Sequence, residues 1–226
     1  MKRIPILLMS ADAGFVDTAC FLALQGLFTA HVTGNFVTLG ASLAYGAPGG
    51  AAKLLALPVF CLMVVGTRLL SFALPPLGLP ILRTMLTLKV LLLVLGAVLA
   101  IRLGPFPRGD APAAMLTGMV FVSAMAIQNA AHRIHMASAP PTTLMTGSTT
   151  QVMIDIADLT RGVKGEARSA VLGRLGRMVP SVAAFAIGCL AGALLYGRLS
   201  VWCFVVPPVL AAPALWLVGR EETLAA

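Results

Sequence analysis

Residues 31–40 of the chain read HVTGNFVTLG, and residues 144–153 read LMTGSTTQVM. In both stretches a Thr-Gly pair followed by a polar residue precedes a short apolar run, and the two glycines, Gly34 and Gly147, lie 113 residues apart. Each run is shorter than the roughly 20 apolar residues that a membrane-crossing helix needs. Because the same arrangement occurs once in each half of the chain, it predicts two structurally related halves.

The composition of the chain indicates an integral membrane protein. Of its 226 residues, 59% are apolar and only 11% are charged, and the mean hydropathy is +0.96. A soluble domain carries about 25% charged residues, so this chain cannot cover a surface that faces water, and its main partner is expected to be the lipid bilayer. The net charge of +8 comes mostly from basic residues between apolar runs, which argues against nucleic acid as a partner.

Six apolar stretches are long enough to cross a membrane. A Pro/Gly-rich turn, RLGPFPRGD at residues 102–110, separates the third stretch from the fourth. We therefore predict an all-α membrane protein with six transmembrane helices, divided into a first repeat over residues 1–108 and a second repeat over residues 109–226. The start, MKRIPILLMSADAG, resembles a signal peptide, but its short apolar run and the following Asp12 favour an uncleaved first helix. The predicted spans cover residues 5–29, 54–74, 82–101, 112–133, 179–197 and 200–219.

Two short helices, over residues 33–45 and 146–160, carry matching polar faces. In each helix four polar positions have the spacing i, i+3, i+7, i+10, which lies on one helix face. Because three spans per half is an odd number, the second half must enter the membrane in the opposite sense, as in the inverted repeats of many transporters. We expect broken or re-entrant helices, capped by Thr33 and Thr146. The polar faces consist of Asn35, Thr38, Ser42 and Tyr45, and of Ser148, Gln151, Asp155 and Asp158.

Basic residues set the predicted orientation. If the N-terminus lies inside and the spans alternate, 12 of the 16 Lys and Arg residues fall on the inner side and 4 on the outer side. This bias predicts that both termini are cytoplasmic. Three basic residues within spans, Arg68, Lys89 and Arg133, are expected to extend toward the inner membrane surface. Arg133 could instead pair with Asp155 or Asp158 if the second short helix folds back beside the fourth span.

Asp17 lies near the middle of the first predicted span. An isolated carboxylate at that depth is costly unless it is paired, hydrated or protonated. It could handle a proton or a cation, or it could make a structural hydrogen bond to a neighbouring helix. Gln25 lies near enough around the helix to line the same cavity. In the second half, AIQNAA at 126–131 aligns with GFVDTA at 14–19, which places Asn129 at the position of Asp17 and Gln128 beside it.

The remaining polar residues allow more than one interpretation. His31 could gate the first short helix, bind a ligand or contact a loop. His132 and His135 could be interfacial or could sense pH. The basic segment 161–177 is expected to lie along the inner membrane surface. The four cysteines lie within apolar runs without paired spacing, and no catalytic motif is recognisable, so we expect no disulfide, metal, cofactor or enzymatic activity.

The sequence GFVDTACFLALQGLFTAHVTGNFVTLG, residues 14–40, resembles the N-terminal signature of the YoaK-type bacterial membrane proteins, a family of unknown function. In the second half, AIQNAAHR and TLMTGSTTQVMIDIADL resemble further family elements. Thr18, Ala126 and Ser148 depart from the family's usual alanine, glycine and threonine. The resemblance covers nearly the whole chain and implies a six-span protein of the bacterial inner membrane, but it implies no substrate. The matching residues of the signature are Gly14, Asp17, His31, Thr33, Gly34 and Asn35.

These features favour a transporter or permease for a small molecule or an ion. The inverted halves would enclose a central, water-filled site between residues 33–38 and 146–151, and Asp17 would couple transport to protons. A passive channel and a non-transporting scaffold are the alternatives, and small residues on outer helix faces permit a homodimer. The predicted substrate contacts are Asp17, Gln25, His31, Thr33, Gly34, Asn35, Thr38, Gln128, Asn129, Thr146, Gly147, Ser148 and Gln151.

Overall fold

The computed structural model describes residues 3–46 and 49–225. Within these ranges the regular elements are helices, and no strand occurs, which confirms the predicted all-α class. Two short 3₁₀ turns, Pro75–Leu77 and Ser200–Val205, connect neighbouring helices. The α-helices are α1 (Arg3–Ala23), α2 (Gly34–Tyr45), α3 (Gly50–Ala73), α4 (Ile81–Leu103), α5 (Pro112–His135), α6 (Met145–Thr160), α7 (Gly165–Leu199) and α8 (Val206–Ala225).

Glycine and proline set most helix boundaries. Gly46, with φ of +66°, ends α2, and Gly49, with φ of +96°, precedes α3. Both angles lie in the left-handed region, which glycine adopts without strain. Pro112 opens α5 at a position where its missing N–H leaves no hydrogen bond unmade. The short helices thus stand apart from the spans because the chain turns at these residues.

Five helical stretches in the described ranges are long and apolar enough to cross a membrane: α1, α3, α4, α5 and the continuous stretch Gly165–Arg220. The last contains α7, the second 3₁₀ turn and most of α8, and its 56 residues would extend about 84 Å as one straight helix. The chain instead changes direction at Ser200, which has φ of +50°. Both α7 and α8 pack against α1, so this stretch is two helices rather than one rod.

The structure corrects two predicted boundaries. The first span ends at Ala23 rather than at residue 29, because Gln25 and Gly26 have positive φ angles and turn the chain away. The basic segment 161–177 does not form a separate helix on the membrane surface. From Gly165 onward it is the first part of α7, which continues unbroken into the span.

The helices pack in corresponding pairs. The contact of α1 with α7 is matched by that of α5 with α3, and the contact of α1 with α8 by that of α5 with α4. Of the two short helices, α2 packs against α3 and α6 packs against α7. Every one of these contacts therefore has a counterpart when the first four helices are exchanged for the last four.

Glycines allow the closest contact, between α1 and α7. A Cβ atom at Gly188 would lie 2.0 Å from the carbonyl oxygen of Ala11, and one at Gly14 would lie 2.2 Å from the carbonyl oxygen of Phe185. Small residues are what allow backbones to approach this closely in membrane proteins. The outer faces of the longer helices are apolar and exposed, as at Leu62, which is the surface that a bilayer requires. The chain is thus a helical protein of the multi-pass membrane type.

Candidate functional site

Asp17 holds the connection between α1 and α2 in place. Its Oδ1 atom accepts hydrogen bonds from the backbone N–H groups of Thr29 (2.7 Å) and Ala30 (2.8 Å) and from the Thr29 hydroxyl (3.2 Å). Its Oδ2 atom lies 2.7 Å from Nδ1 of His31. A carboxylate with this many donors is well satisfied although it is buried. Asp17 therefore contacts its own connection rather than a neighbouring helix.

Asn35 fixes the same connection from the other end. Its side-chain amide accepts from the backbone N–H of Phe28 and donates to the carbonyl of the same residue, both at 2.8 Å. Gly34 lies against the Phe28 ring, where a Cβ atom would approach within 3.0 Å. Thr38 donates to the carbonyl of Asn35 at 3.3 Å. These three predicted site residues thus order the start of α2.

Neither predicted threonine cap forms. Thr33 makes no side-chain capping hydrogen bond within the described chain, because tighter backbone bonds, such as that from Gly34 N–H to the His31 carbonyl, already use the first N–H groups of α2. Thr146 lies inside α6, which begins at Met145. The Thr-Gly steps therefore mark the helix starts without capping them.

A cavity of about 570 Å³ lies between α1, the connection and α7. Asp17, Thr18, His31 and Thr33 contribute polar atoms to its lining, and Gly34 lies at its edge. The His31 side chain is 30% exposed, whereas that of Asp17 is 5% exposed. Both side chains line the cavity, and the imidazole is the more exposed of the two.

Aromatic rings form the rest of the wall around His31. The ring of Phe185, from α7, meets the imidazole edge-on at a centroid distance of 5.6 Å, and Phe28 does so at 6.3 Å. Phe21 packs on Phe28 at 4.8 Å. Because α1 and Phe185 belong to different halves of the chain, the cavity lies at a contact between the two halves.

The second half has a neutral counterpart of the Asp17 arrangement. Asn129 accepts a hydrogen bond from the Thr143 hydroxyl at 2.7 Å, and Gln128 donates to the Thr142 hydroxyl at 3.0 Å. Gln128 also donates to the carbonyl of Met9 at 3.0 Å. These amides hold the connection between α5 and α6, as Asp17 holds that between α1 and α2.

Ser42 and Asp155 of the polar faces contact the helix that follows each short helix, whereas Tyr45 is exposed. In the first half, the Lys53 ammonium donates to the Ser42 hydroxyl at 2.6 Å. In the second half, Arg174 donates to both oxygens of the fully buried Asp155, at 2.7 and 3.1 Å, and Gln151 donates to the same carboxylate at 2.9 Å. The polar faces thus stabilise the packing of α2 on α3 and of α6 on α7.

The structure corrects the predicted partner of Asp155. Arg133 is exposed at the end of α5, and Arg174 makes the pair instead, because α6 packs along α7. Asp158 is half-buried one turn further on. Its charge also acts on Arg174, because the carboxylates of Asp155 and Asp158 both favour the charged guanidinium.

Thr33 and Thr146 line different cavities in the described part of the chain. The cavity that contains Thr33 and Gly34 has no residue of α6 in its lining, and the surface depression that contains Thr146 has none of α2. A Cβ atom at Gly147 would meet nothing within 4 Å. Ser148 is buried, and Gln25 turns away to the carbonyl of Phe106 at 3.4 Å. Of the predicted contacts, only Asp17, His31, Thr33 and Gly34 line the cavity between α1 and α7, and those of the second half do not.

The sequence analysis did not predict one buried charge pair. Lys89 of α4 donates to Oδ2 of Asp12 of α1 at 2.5 Å, and the two side chains are 2% and 0% exposed. Lys89 thus does not extend to the membrane surface as predicted. The sequence could have indicated this pair, because two opposite charges lie deep in apolar helices, where each needs a partner. Oδ1 of Asp12 has no hydrogen-bond partner in the described part of the chain.

Several apolar helices and a few buried polar contacts at their connections define the class of this protein as a multi-pass helical membrane protein. The chain belongs to the family described as "Protein of unknown function (DUF1275)", whose model matches residues 6–217. This membership confirms the family that the motifs at residues 14–40 predict. No curated protein and no solved structure matches the chain.

Proposed function

We propose that the protein transports a small solute across the membrane and that the cavity between α1 and α7 is its binding site. The observation that carries this proposal is the pair of Asp17 and His31 at the cavity wall. Buried ionisable residues in membrane helices commonly mark the path of an ion, a proton or a substrate. The aromatic rings of Phe21, Phe28 and Phe185 offer apolar contact beside that pair, the usual composition of a small-molecule site.

The proposal includes an inverted repeat with six crossings, with both termini on the cytoplasmic side of a bacterial inner membrane. The corresponding helix contacts of the two halves support it, as does the matched binding of each connection by α1 and by α5. The excess of basic residues on one side supports the orientation. Transporters built in this way bind substrates where the repeats meet, and the cavity has walls from both halves.

His31 is the proposed entry point for a proton. Its Nδ1 atom pairs with Asp17, and its other ring nitrogen has no protein hydrogen-bond partner within the described residues. Protonation there would convert the hydrogen bond between a neutral imidazole and the Asp17 carboxylate into an ion pair and change how firmly Asp17 holds residues 29–31. The connection and the start of α2 are therefore the proposed moving parts, because the glycine contacts bind α1 and α7 closely together.

The test is solute-dependent proton movement into liposomes that contain the purified protein and an internal pH-sensitive dye. A panel of amino acids, organic acids, amines and sugars supplies the solutes. His31→Asn keeps a donor near the position of Nδ1 but cannot take up a proton, so it should abolish the coupled signal. His135→Asn is the matched control, because His135 is exposed and does not line the cavity.

Each alternative gives a distinct result in the same assay. Solute entry that does not saturate and does not depend on the pH gradient would indicate a passive channel rather than a transporter. Coupled movement that survives in His31→Asn would remove His31 from the mechanism. The absence of any movement for every solute class would favour a non-transporting scaffold, a function that the tight backbone contact between α1 and α7 also fits. We propose no enzymatic activity and no cofactor.

A further inference from the structure

Two neighbouring cavities lie at the end of the bundle where α1 and α7 begin and α5 ends. Their volumes are about 300 and 430 Å³. They share a wall formed by residues 138–140 of the connection between α5 and α6, together with Arg177 of α7. This region is separate from the cavity at Asp17 and His31, since the two sets of lining residues do not overlap.

Arginine side chains dominate the polar lining of these cavities. Arg133, Arg174 and Arg177 line the smaller one, and Arg3 joins Arg177 at the larger one. Among the described residues, no Asp or Glu lines either cavity. Arg174 uses Nε and Nη2 to bind Asp155, whereas Arg133 and Arg177, both exposed, have no acceptor in the described chain. Like charges held around one small space repel each other unless an anion lies between them.

His132 gives a second, independent sign of a missing ligand. It lines the smaller cavity and is only 8% exposed, and its Nδ1 atom has no hydrogen-bond partner in the part of the chain that the structure describes. Buried side-chain polar atoms in folded proteins almost always have a partner. A phosphate oxygen in the cavity would pair with Nδ1 in the tautomer that carries its proton on that nitrogen.

The chemistry of the walls indicates which anion fits. Guanidinium groups bind phosphate through two parallel hydrogen bonds, a geometry that favours arginine over lysine. Next to the arginines, the larger cavity has an apolar wall formed by Ile6, Leu7 and Pro180. Basic pockets between transmembrane helices bind the head groups of anionic lipids, and this apolar wall would contact the adjoining acyl chain.

We propose that Arg133, Arg177 and Arg3 bind the phosphate group of an anionic ligand, with an anionic lipid head group as the source that the apolar wall favours. The site is not part of the proposed transport pathway. Its expected effect is to fix α5 against α7, because Arg133 and Arg177 line the same cavity, with Arg3 of α1 at the adjoining one.

The experiment measures thermal unfolding of the purified full-length protein in detergent against increasing concentrations of three probes. The probes are a short-chain phosphatidylglycerol, a phosphatidylcholine of equal chain length, and inorganic phosphate. The double variant Arg133→Gln/Arg177→Gln removes two lining charges. The control Arg161→Gln/Arg168→Gln removes two exposed charges that line neither cavity, so the change in net charge is the same.

We expect phosphatidylglycerol to stabilise the natural protein and the control more than phosphatidylcholine does. The double variant should raise the apparent Kd for phosphatidylglycerol by about tenfold or more, since it removes two charge-assisted contacts. Stabilisation by inorganic phosphate at similar concentration would identify a free phosphate compound as the source instead. Equal losses in both double variants, or no stabilisation by phosphatidylglycerol and none by inorganic phosphate, would overturn the proposal. Arg133→Gln alone, at an exposed position, provides the same test if the double variant does not fold.

Discussion

The two halves of the chain solve the same structural problem with different chemistry. Each half must hold a connection between a long helix and a short one, and each uses a polar side chain of the long helix to do so. The first half uses Asp17 with His31, and the second uses Asn129 with Thr143. Before Asp17 in the same helix, the first half has a second carboxylate, Asp12. The aligned position in the second half is Ala124.

This difference shows that a negative charge is not needed to hold the connection. Neutral amides and hydroxyls do so in the second half, at comparable hydrogen-bond distances. A carboxylate within a span is harder to accommodate than an amide. The charge of Asp17 therefore calls for a reason beyond structure, and the histidine at the cavity wall supplies one that the second half lacks.

The largest expected effect comes from the charge pair that only the first half contains. Lys89→Met should destabilise the protein by about 3–5 kcal/mol, because it leaves the Asp12 carboxylate buried without its partner. The free energy of unfolding in mixed detergent micelles measures this loss. Asp12→Ala/Lys89→Met imitates Ala124 of the second half and should recover most of the stability. A double variant as unstable as Lys89→Met would show that the pair itself holds α1 against α4.

The comparison of Asp17 with Asn129 can be tested by exchange. Asp17→Asn should retain most of the stability, because an amide oxygen can still accept from the N–H groups of Thr29 and Ala30. Asp17→Ala should lose about 2–4 kcal/mol, since it leaves these buried donors without an acceptor. Unfolding measurements give both values, and the liposome assay should find coupled proton movement absent in Asp17→Asn. Equal destabilisation by the two variants would mean that the charge itself is structural.

Helix positions could be predicted from the sequence because they follow from apolar run length and from glycine and proline. The predicted short helices at 33–45 and 146–160 lie close to α2 and α6. Partners of individual side chains could not be predicted in the same way. Whether Asp155 meets Arg133 or Arg174 depends on which helix α6 packs against, and that choice rests on long-range packing that spacing along the chain does not encode.

The same dependence on long-range packing applies to the predicted central site between the two Thr-Gly steps. The alignment of Asn35 with Ser148 predicts that the two positions are equivalent, but equivalent positions need not lie close together. In the structure each short helix packs on the next span of its own half, and Thr33 and Thr146 line different cavities. The cavity depends on Phe185 of α7, an apolar residue that no polar pattern in the sequence could have indicated.

The smallest expected effect concerns the starts of α3 and α7, which hold corresponding places in the two halves. Asp110 accepts hydrogen bonds from the backbone N–H groups of Gly49, Ala51 and Ala52, whereas the start of α7 at Lys164 has no side-chain cap in the described chain. Partial burial raises the pKa of Asp110, but these backbone hydrogen bonds together lower the pKa below its usual value.

A carboxyl group with a lowered pKa in the folded state stabilises the fold above its unfolded pKa of about 3.9, and this contribution is lost as the pH falls through the folded value. Asp110→Asn should therefore reduce stability at neutral pH by about 0.3–1 kcal/mol, the usual contribution of a negative charge at a helix N-terminus. Below about pH 4 the difference between the two proteins should shrink as the natural carboxyl group takes up its proton. Unfolding at pH 7 and at acidic pH measures both values. A stability difference between the two proteins that stays constant with pH would mean that Asp110 acts through its shape rather than through its charge. The starts of α3 and α7 would then differ less than their contacts indicate.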